Sequence, residues 1–189
     1  MKKLLLLVVM LIPVAVCAQE NNEKKSTSMT VEFLSKDGSF YKKEFFDLPR
    51  IGNVYNRIDC QVLIITDLKS NEKRGCLRLI TYDYSSSSPK SCIGTLDPDE
   101  LDACIMCFEK IVSDITVVPA TTYTEVEYKT RDGVQLGTYW DGDKSEWKTY
   151  VETLSYTKRS MAILPKDKVT SLISNLKQAK EVIATKTTK

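Results

Sequence analysis

The sequence predicts an α+β protein: tandem ββββα units forming a largely antiparallel sheet packed on two helices. Three observations predict it. Alternating apolar and polar residues are broken twice by an Asp-Gly turn, two amphipathic helical stripes follow the strand-rich stretches, and parts of this pattern recur at fixed spacing. The chain has 189 residues, room for one domain or two small ones.

The first residues do not belong to that fold. Lys2 and Lys3 give a positive start, and Leu4 to Val16 carry no charge. Val16-Cys17-Ala18 then offers the small residues a signal peptidase reads, with Gln19 as the new N-terminus. Residues 1–18 are thus expected to be a signal peptide cleaved after Ala18. Lipidation of Cys17 is the rival, and Val16 is bulky for that motif. The apolar run spans only about 20 Å as helix, short of a bilayer core of ~30 Å, and no other stretch is long enough to span, so the mature form is expected to lack a transmembrane segment and to be periplasmic or secreted. Residues 19–28 are polar and aperiodic, which predicts a flexible leader.

The first unit is placed at 29–116. Val31, Phe33 and Ser35 alternate with Glu32 and Leu34, Lys36-Asp37-Gly38 interrupts, and residues 40–46 resume. This predicts a hairpin, since tight turns favour residues that tolerate positive φ. Val62-Leu63-Ile64-Ile65 is apolar on both faces and predicts a central strand, with a return strand over 76–82. Asp97 then offers an N-cap, Pro98 fits the first helical position and Glu100 completes a capping box. Leu101, Cys104, Ile105, Phe108, Ile111, Val112 and Ile115 are expected on one helical face.

The second unit is placed at 117–184. Its alternating run 124–130, the turn Arg131-Asp132-Gly133 and the run 134–140 repeat the first phrase at an offset of 95. Strands over 147–156 and 160–164 form a second hairpin, and a helix from Pro165 places Val169, Leu172, Ile173, Leu176 and Ile183 on its face. Residues 96–101 match 164–169 at an offset of 68; longer loops in the first half account for the difference. Residues 185–189 are expected to be a disordered tail. One continuous sheet of about eight strands gripping both helices buries both stripes most economically. The order of elements resembles TATA-binding-protein-like and β-lactamase-inhibitor-like duplicated folds, in architecture alone and with no functional residue carried over.

Composition narrows the function classes. There are 27 Lys and Arg against 25 Asp and Glu, and loss of Lys2 and Lys3 brings the mature chain to neutrality. A neutral chain lacks the basic surplus of a general nucleic-acid binder. There is no histidine, hence no imidazole base and no imidazole metal ligand. Five cysteines remain after cleavage: Cys60, Cys76, Cys92, Cys104 and Cys107. Cys104 and Cys107 form C-x-x-C in mid-helix, away from the helix start that stabilises a redox thiolate, so small buried hydrophobes are the expected reading. One disulfide among the five is compatible with an oxidising compartment.

The turn from Asp141 to Glu146 has oxygens at alternate positions but lacks the central Gly and the twelfth-position Glu of a calcium loop. Trp140 and Trp147 flank it, and strand aromatics can stack on sugars or partner side chains or simply pack. Carboxylate pairs Asp97/Asp99 and Asp141/Asp143 suit capping and turn formation. No catalytic, cofactor-binding or metal-ligating residue is assigned and no cofactor is expected. The expected function is a non-catalytic binding or interaction module of the cell envelope with a protein or glycan partner, its contacts on loops 48–55 and 84–91. The alternative is an envelope hydrolase using paired carboxylates, or an enzyme inhibitor.

Overall fold

A computed structural model describes residues 27–154 and 158–188. The expected signal peptide, its cleavage site and most of the expected leader lie outside the described residues. The elements are helix α1 (Met29–Leu34), strands β1 (Tyr41–Asp47), β2 (Ile51–Gly52), β3 (Arg57–Asp67), β4 (Lys73–Asp83) and β5 (Lys90–Leu96), helix α2 (Pro98–Lys110), strands β6 (Glu125–Lys129), β7 (Gln135–Asp141), β8 (Glu146–Glu152) and β9 (Met161–Leu164), and helix α3 (Val169–Thr187). The fold class is α+β, with antiparallel sheets and helices.

The first half carries five strands and the second four, all antiparallel, and a helix follows each sheet, an order compatible with tandem ββββα units. The first sheet runs β1-β3-β4-β5, with β2 a short extra strand on β3; the second runs β6-β7-β8-β9. The expected single continuous sheet is therefore corrected to two. Their seam is made by side chains and not by a strand ladder. Thr81 Oγ1 lies 2.7 Å from Thr153 Oγ1, and Thr153 Oγ1 donates to the Cys92 carbonyl of edge strand β5 at 3.1 Å. Gly94 completes the seam, because a Cβ there would stand 2.3 Å from Val134 Cγ2 and 2.8 Å from the Thr153 carbonyl.

One apolar core serves both halves. Val62, Leu77, Leu79 and Leu96 of the first sheet, Leu136, Val151 and Leu164 of the second, and Leu101, Phe108, Leu172 and Leu176 of the helices belong to a single buried cluster. Leu96 and Leu164 are matching buried strand ends; α2 follows Leu96 after Asp97, and α3 follows Leu164 after Pro165 and a 3₁₀ turn over Lys166–Lys168.

The expected first strand is a helix. Ser28 accepts from Val31 N through its side chain, and Thr30 and Phe33 of α1 are buried. Met29 N and Thr30 N donate to Asp97 at 2.7 and 3.1 Å, so a carboxylate from the start of α2 also terminates α1. Asp37-Gly38 is still a turn, with Gly38 at φ +66°, but it joins a helix to a strand. The repeat at an offset of 95 thus pairs α1 with β6 and is not structural there. Asp132-Gly133 does form the β6-β7 turn.

Smaller corrections concern element ends. Ser28 is buried and caps α1, so the leader does not reach 28. The stripe of α2 stops at Ile111, because a π-helical turn over Ile111–Ile115 rotates Val112 to the surface. Helix α3 continues to Thr187, so 185–187 are helical and not tail.

Candidate functional site

A groove of about 460 Å³ lies at one end of the second sheet. Its walls come from four separated parts of the chain: the turn after β2, the segment following the π-helical turn, the facing ends of β7 and β8, and the passage from β9 toward α3.

The floor is aromatic. Trp140 and Trp147 are cross-strand partners in the β7-β8 register, with ring centroids 5.5 Å apart and edge to face. Trp147 Nε1 donates to the Val118 carbonyl at 2.7 Å, which ties the 116–119 segment to the floor. Lys148 is ion-paired with Asp141 on the neighbouring strand and lies 3.8 Å from Glu146. The hydrogen bond from Lys148 holds the Asp141 carboxyl below its usual range, and Asp141 in return holds the ammonium above its own.

The opposite wall is shaped by backbone geometry. Gly52 adopts φ +88°, and a Cβ there would sit 1.9 Å from the Asn56 carbonyl, so only glycine closes this turn. Asn53 Oδ1 accepts from Tyr55 N and Asn56 N at 3.1 and 3.0 Å. Asn56 Oδ1 reaches across to Ile163 N at 3.4 Å. Around this mouth stand four strongly exposed apolar side chains: Val54 (69%), Tyr55 (77%), Val117 (62%) and Val118 (59%).

The two loops expected to carry contacts do meet. Tyr84 packs edge to face on Tyr55 at 5.9 Å, and its hydroxyl donates to the Val54 carbonyl. Beside them, Arg57 stacks on Tyr82 at 3.9 Å, and Tyr82 donates to Asp59 at 2.6 Å. Burial raises the Asp59 carboxyl, but the hydrogen bonds from Tyr82 and Arg50 outweigh it and the net shift is downward. Only residues 53 and 56 of this corner line the groove itself; Tyr84 does not.

The other candidates fall elsewhere. The five cysteines among the described residues are free thiols; Cys60, Cys76, Cys92 and Cys104 are buried and Cys107 is half-buried. Among the described residues the expected disulfide between two of these five is not formed. Burial pushes the Cys60 thiol up to about 12 and Cys76 to about 11. Among the described residues, no three of Cys, Asp and Glu stand together to hold a metal. Asp97 is a structural acid, taken by Ser28, Thr30 and Arg131. Residues 56, 117, 118 and 163–166 line the groove without a signal in their local sequence; only the fold brings them there.

Comparison with known proteins yields no match, whether against family models, curated protein sequences or solved structures. Among the described residues, no helix is long and apolar enough to cross a membrane.

Proposed function

We propose that this protein is a non-catalytic binding module exported to the cell envelope, and that it holds a protein or glycan partner in the Trp140–Trp147 groove. The carrying observation is convergence. The only two tryptophans of the chain floor one groove of about 460 Å³, and exposed valines and a tyrosine stand at its mouth. Such a patch costs solubility in a monomer unless something covers it. Export is supported by the charged start and apolar run that precede Ala18.

The hydrolase alternative finds less support in the same groove. Glycoside hydrolysis commonly uses two facing carboxyls, whereas among the described residues Glu146 is the single carboxylate lining the groove and pairs loosely with Lys148.

Both tryptophans report on the site, so intrinsic fluorescence is the direct assay. Titration of the mature protein with peptides and oligosaccharides should give a saturable change in tryptophan emission. A ligand that saturates without moving that emission would place recognition elsewhere. Turnover of a peptide, glycan or phosphoester substrate that vanishes in Glu146→Gln would overturn the non-catalytic reading. Intact mass of the exported form should start at Gln19; an acylated Cys17 would overturn cleavage after Ala18.

A further inference from the structure

We infer that the occupant of the groove is an extended, uncharged polypeptide segment that pairs with the open edge of β8 at Trp147 and sets an apolar side chain against the tryptophan floor. This rests on the groove being the recognition site.

The observation is a mismatch of strand lengths. β8 pairs with β7 along its whole length, from Glu146 to Glu152, but β9 pairs only with Thr149 to Glu152. At Leu164 the chain leaves the sheet through Pro165, which has no N–H to continue a ladder. Among the described residues, positions 146–148, about 10 Å of strand, have no paired strand on that side, and these same three residues line the groove.

The backbone points the right way. Ile163 N donates outward to Asn56, so Ile163 and its partner Tyr150 form a non-hydrogen-bonded pair. By the alternation of an antiparallel ladder, Thr149 and Val151 face β9, and so does the N–H and C=O of Trp147 two residues before them. Among the described residues neither backbone group of Trp147 has a hydrogen-bond partner. A peptide laid in the lane that β9 vacates would satisfy both, as strand addition does.

Charge and shape select the rest. Lys148 and Lys166 of the lining stand against Glu146 and against Asp141, which pairs with Lys148, so these four groups present no net charge to a ligand. The mouth offers the aliphatic surfaces of Val117 and Val118. Aliphatic walls beside an open strand edge suit a peptide side chain, and the open N–H and C=O of Trp147 match the paired C=O and N–H that one residue of an extended peptide presents.

The test uses the mature protein and a library of uncharged heptapeptides, each with one central aromatic or aliphatic residue, followed by tryptophan emission; an oligosaccharide panel is run beside it. The best peptide is then N-methylated at each amide in turn. One amide should be intolerant, losing about tenfold in affinity through the missing ladder hydrogen bond, while its neighbours tolerate the methyl. Val117→Arg, at an exposed position that folding does not need, should abolish binding. If all N-methylated peptides bind alike, or if only an oligosaccharide binds and Val117→Arg blocks it, the peptide inference is overturned while the groove stands. If ligands bind and Val117→Arg has no effect, or nothing binds, the groove reading falls with it.

Discussion

In the first sheet the outward face of β3 and β4 carries Leu63, Ile65 and Cys76, and α1 is laid over it with Phe33 and Leu34 packed on those three. In the second sheet the outward face of β6, β7 and β8 carries Glu125, Glu127, Gln135, Tyr139, Lys148 and Tyr150, and among the described residues no helix is laid over it. The order of strands is the same; the chemistry of the outer face decides whether a cover is needed. The two helices differ likewise. α2 begins at a buried acid clasp of Asp97, Glu100 and Arg131, while α3 begins from a 3₁₀ turn after Pro165 with no side-chain cap. The half with the cover holds it through the clasp, and the half without leaves a groove beside its own helix start.

Breaking the clasp should give the largest effect. Asp97 is fully buried, accepts from Ser28 Oγ, Met29 N, Thr30 N and Thr30 Oγ1, and pairs with Arg131 at 3.1 Å. Asp97→Ala strands these four donors, while Arg131 keeps Asp99 and Glu100, a loss of about 3–5 kcal/mol. Urea denaturation should show that loss, with hydrogen exchange speeding up first in α1. If α1 stays protected, the apolar contact of Phe33 holds the cover unaided.

The halves share one core, so damage to either should destabilise both. Leu79→Ala in the first sheet and Leu136→Ala in the second each remove a fully buried side chain, at a cost of about 2–5 kcal/mol. Each variant should still unfold in one transition when followed by tryptophan emission and by far-ultraviolet dichroism. Tryptophan sits only in the second sheet. Two separated transitions would make the halves independent domains.

What was legible in the sequence follows the range of the forces involved. The start of α2 was readable because Asp97, Pro98 and Glu100 act within one turn; Glu100 Oε2 does accept from Asp97 N at 2.9 Å. The Asp132-Gly133 hairpin and the 62–65 strand were readable for the same reason. Residues 29–34 were misread because their alternation is overruled by a carboxylate 67 to 69 positions away. The split into two sheets rests on Thr81, Gly94 and Thr153, whose partners are equally remote. At the site, Trp140, Trp147 and the 48–55 loop each carried a local signal. Their meeting with Val117 and Val118 carried none.

The seam between the halves offers a sharper, smaller test. Gly94→Ala would place a methyl 2.3 Å from Val134 Cγ2 and 2.8 Å from the Thr153 carbonyl, and should cost about 1–3 kcal/mol through forced displacement. Gly142, in the β7-β8 turn, has nothing within 4 Å of its virtual Cβ, and Gly142→Ala should change stability by less than about 0.5 kcal/mol. Equal effects at the two positions, measured by thermal unfolding, would mean that the sheets do not touch at β5.

The smallest effect concerns the uncovered face, and it has a sign that reverses with pH. Tyr150 is buried, and its single hydroxyl proton is shared between Glu125 Oε1 at 2.6 Å and Glu127 Oε2 at 3.0 Å. Gly137 makes room for this, since a Cβ there would press on the Tyr150 hydroxyl at 3.1 Å. At neutral pH Tyr150→Phe loses one charge-assisted donor to carboxylates that water can reach, so the loss should be only about 1 kcal/mol. Burial, then the two carboxylates, raise the phenol far above its ordinary value of 10.0. The unfolded chain releases this proton near pH 10 and the folded chain keeps it, so the stabilisation from Tyr150 is complete below pH 10 and declines as pH rises beyond it. The decline approaches about 1.4 kcal/mol per pH unit for one group. Wild type should therefore be the more stable protein up to about pH 10, meet Tyr150→Phe near pH 11, and fall below it at higher pH. Urea titrations of both proteins between pH 8 and pH 12 would show the crossing. Parallel curves would mean that Tyr150 ionises as freely in the folded protein as in the unfolded chain, and that the open face is not organised around its proton.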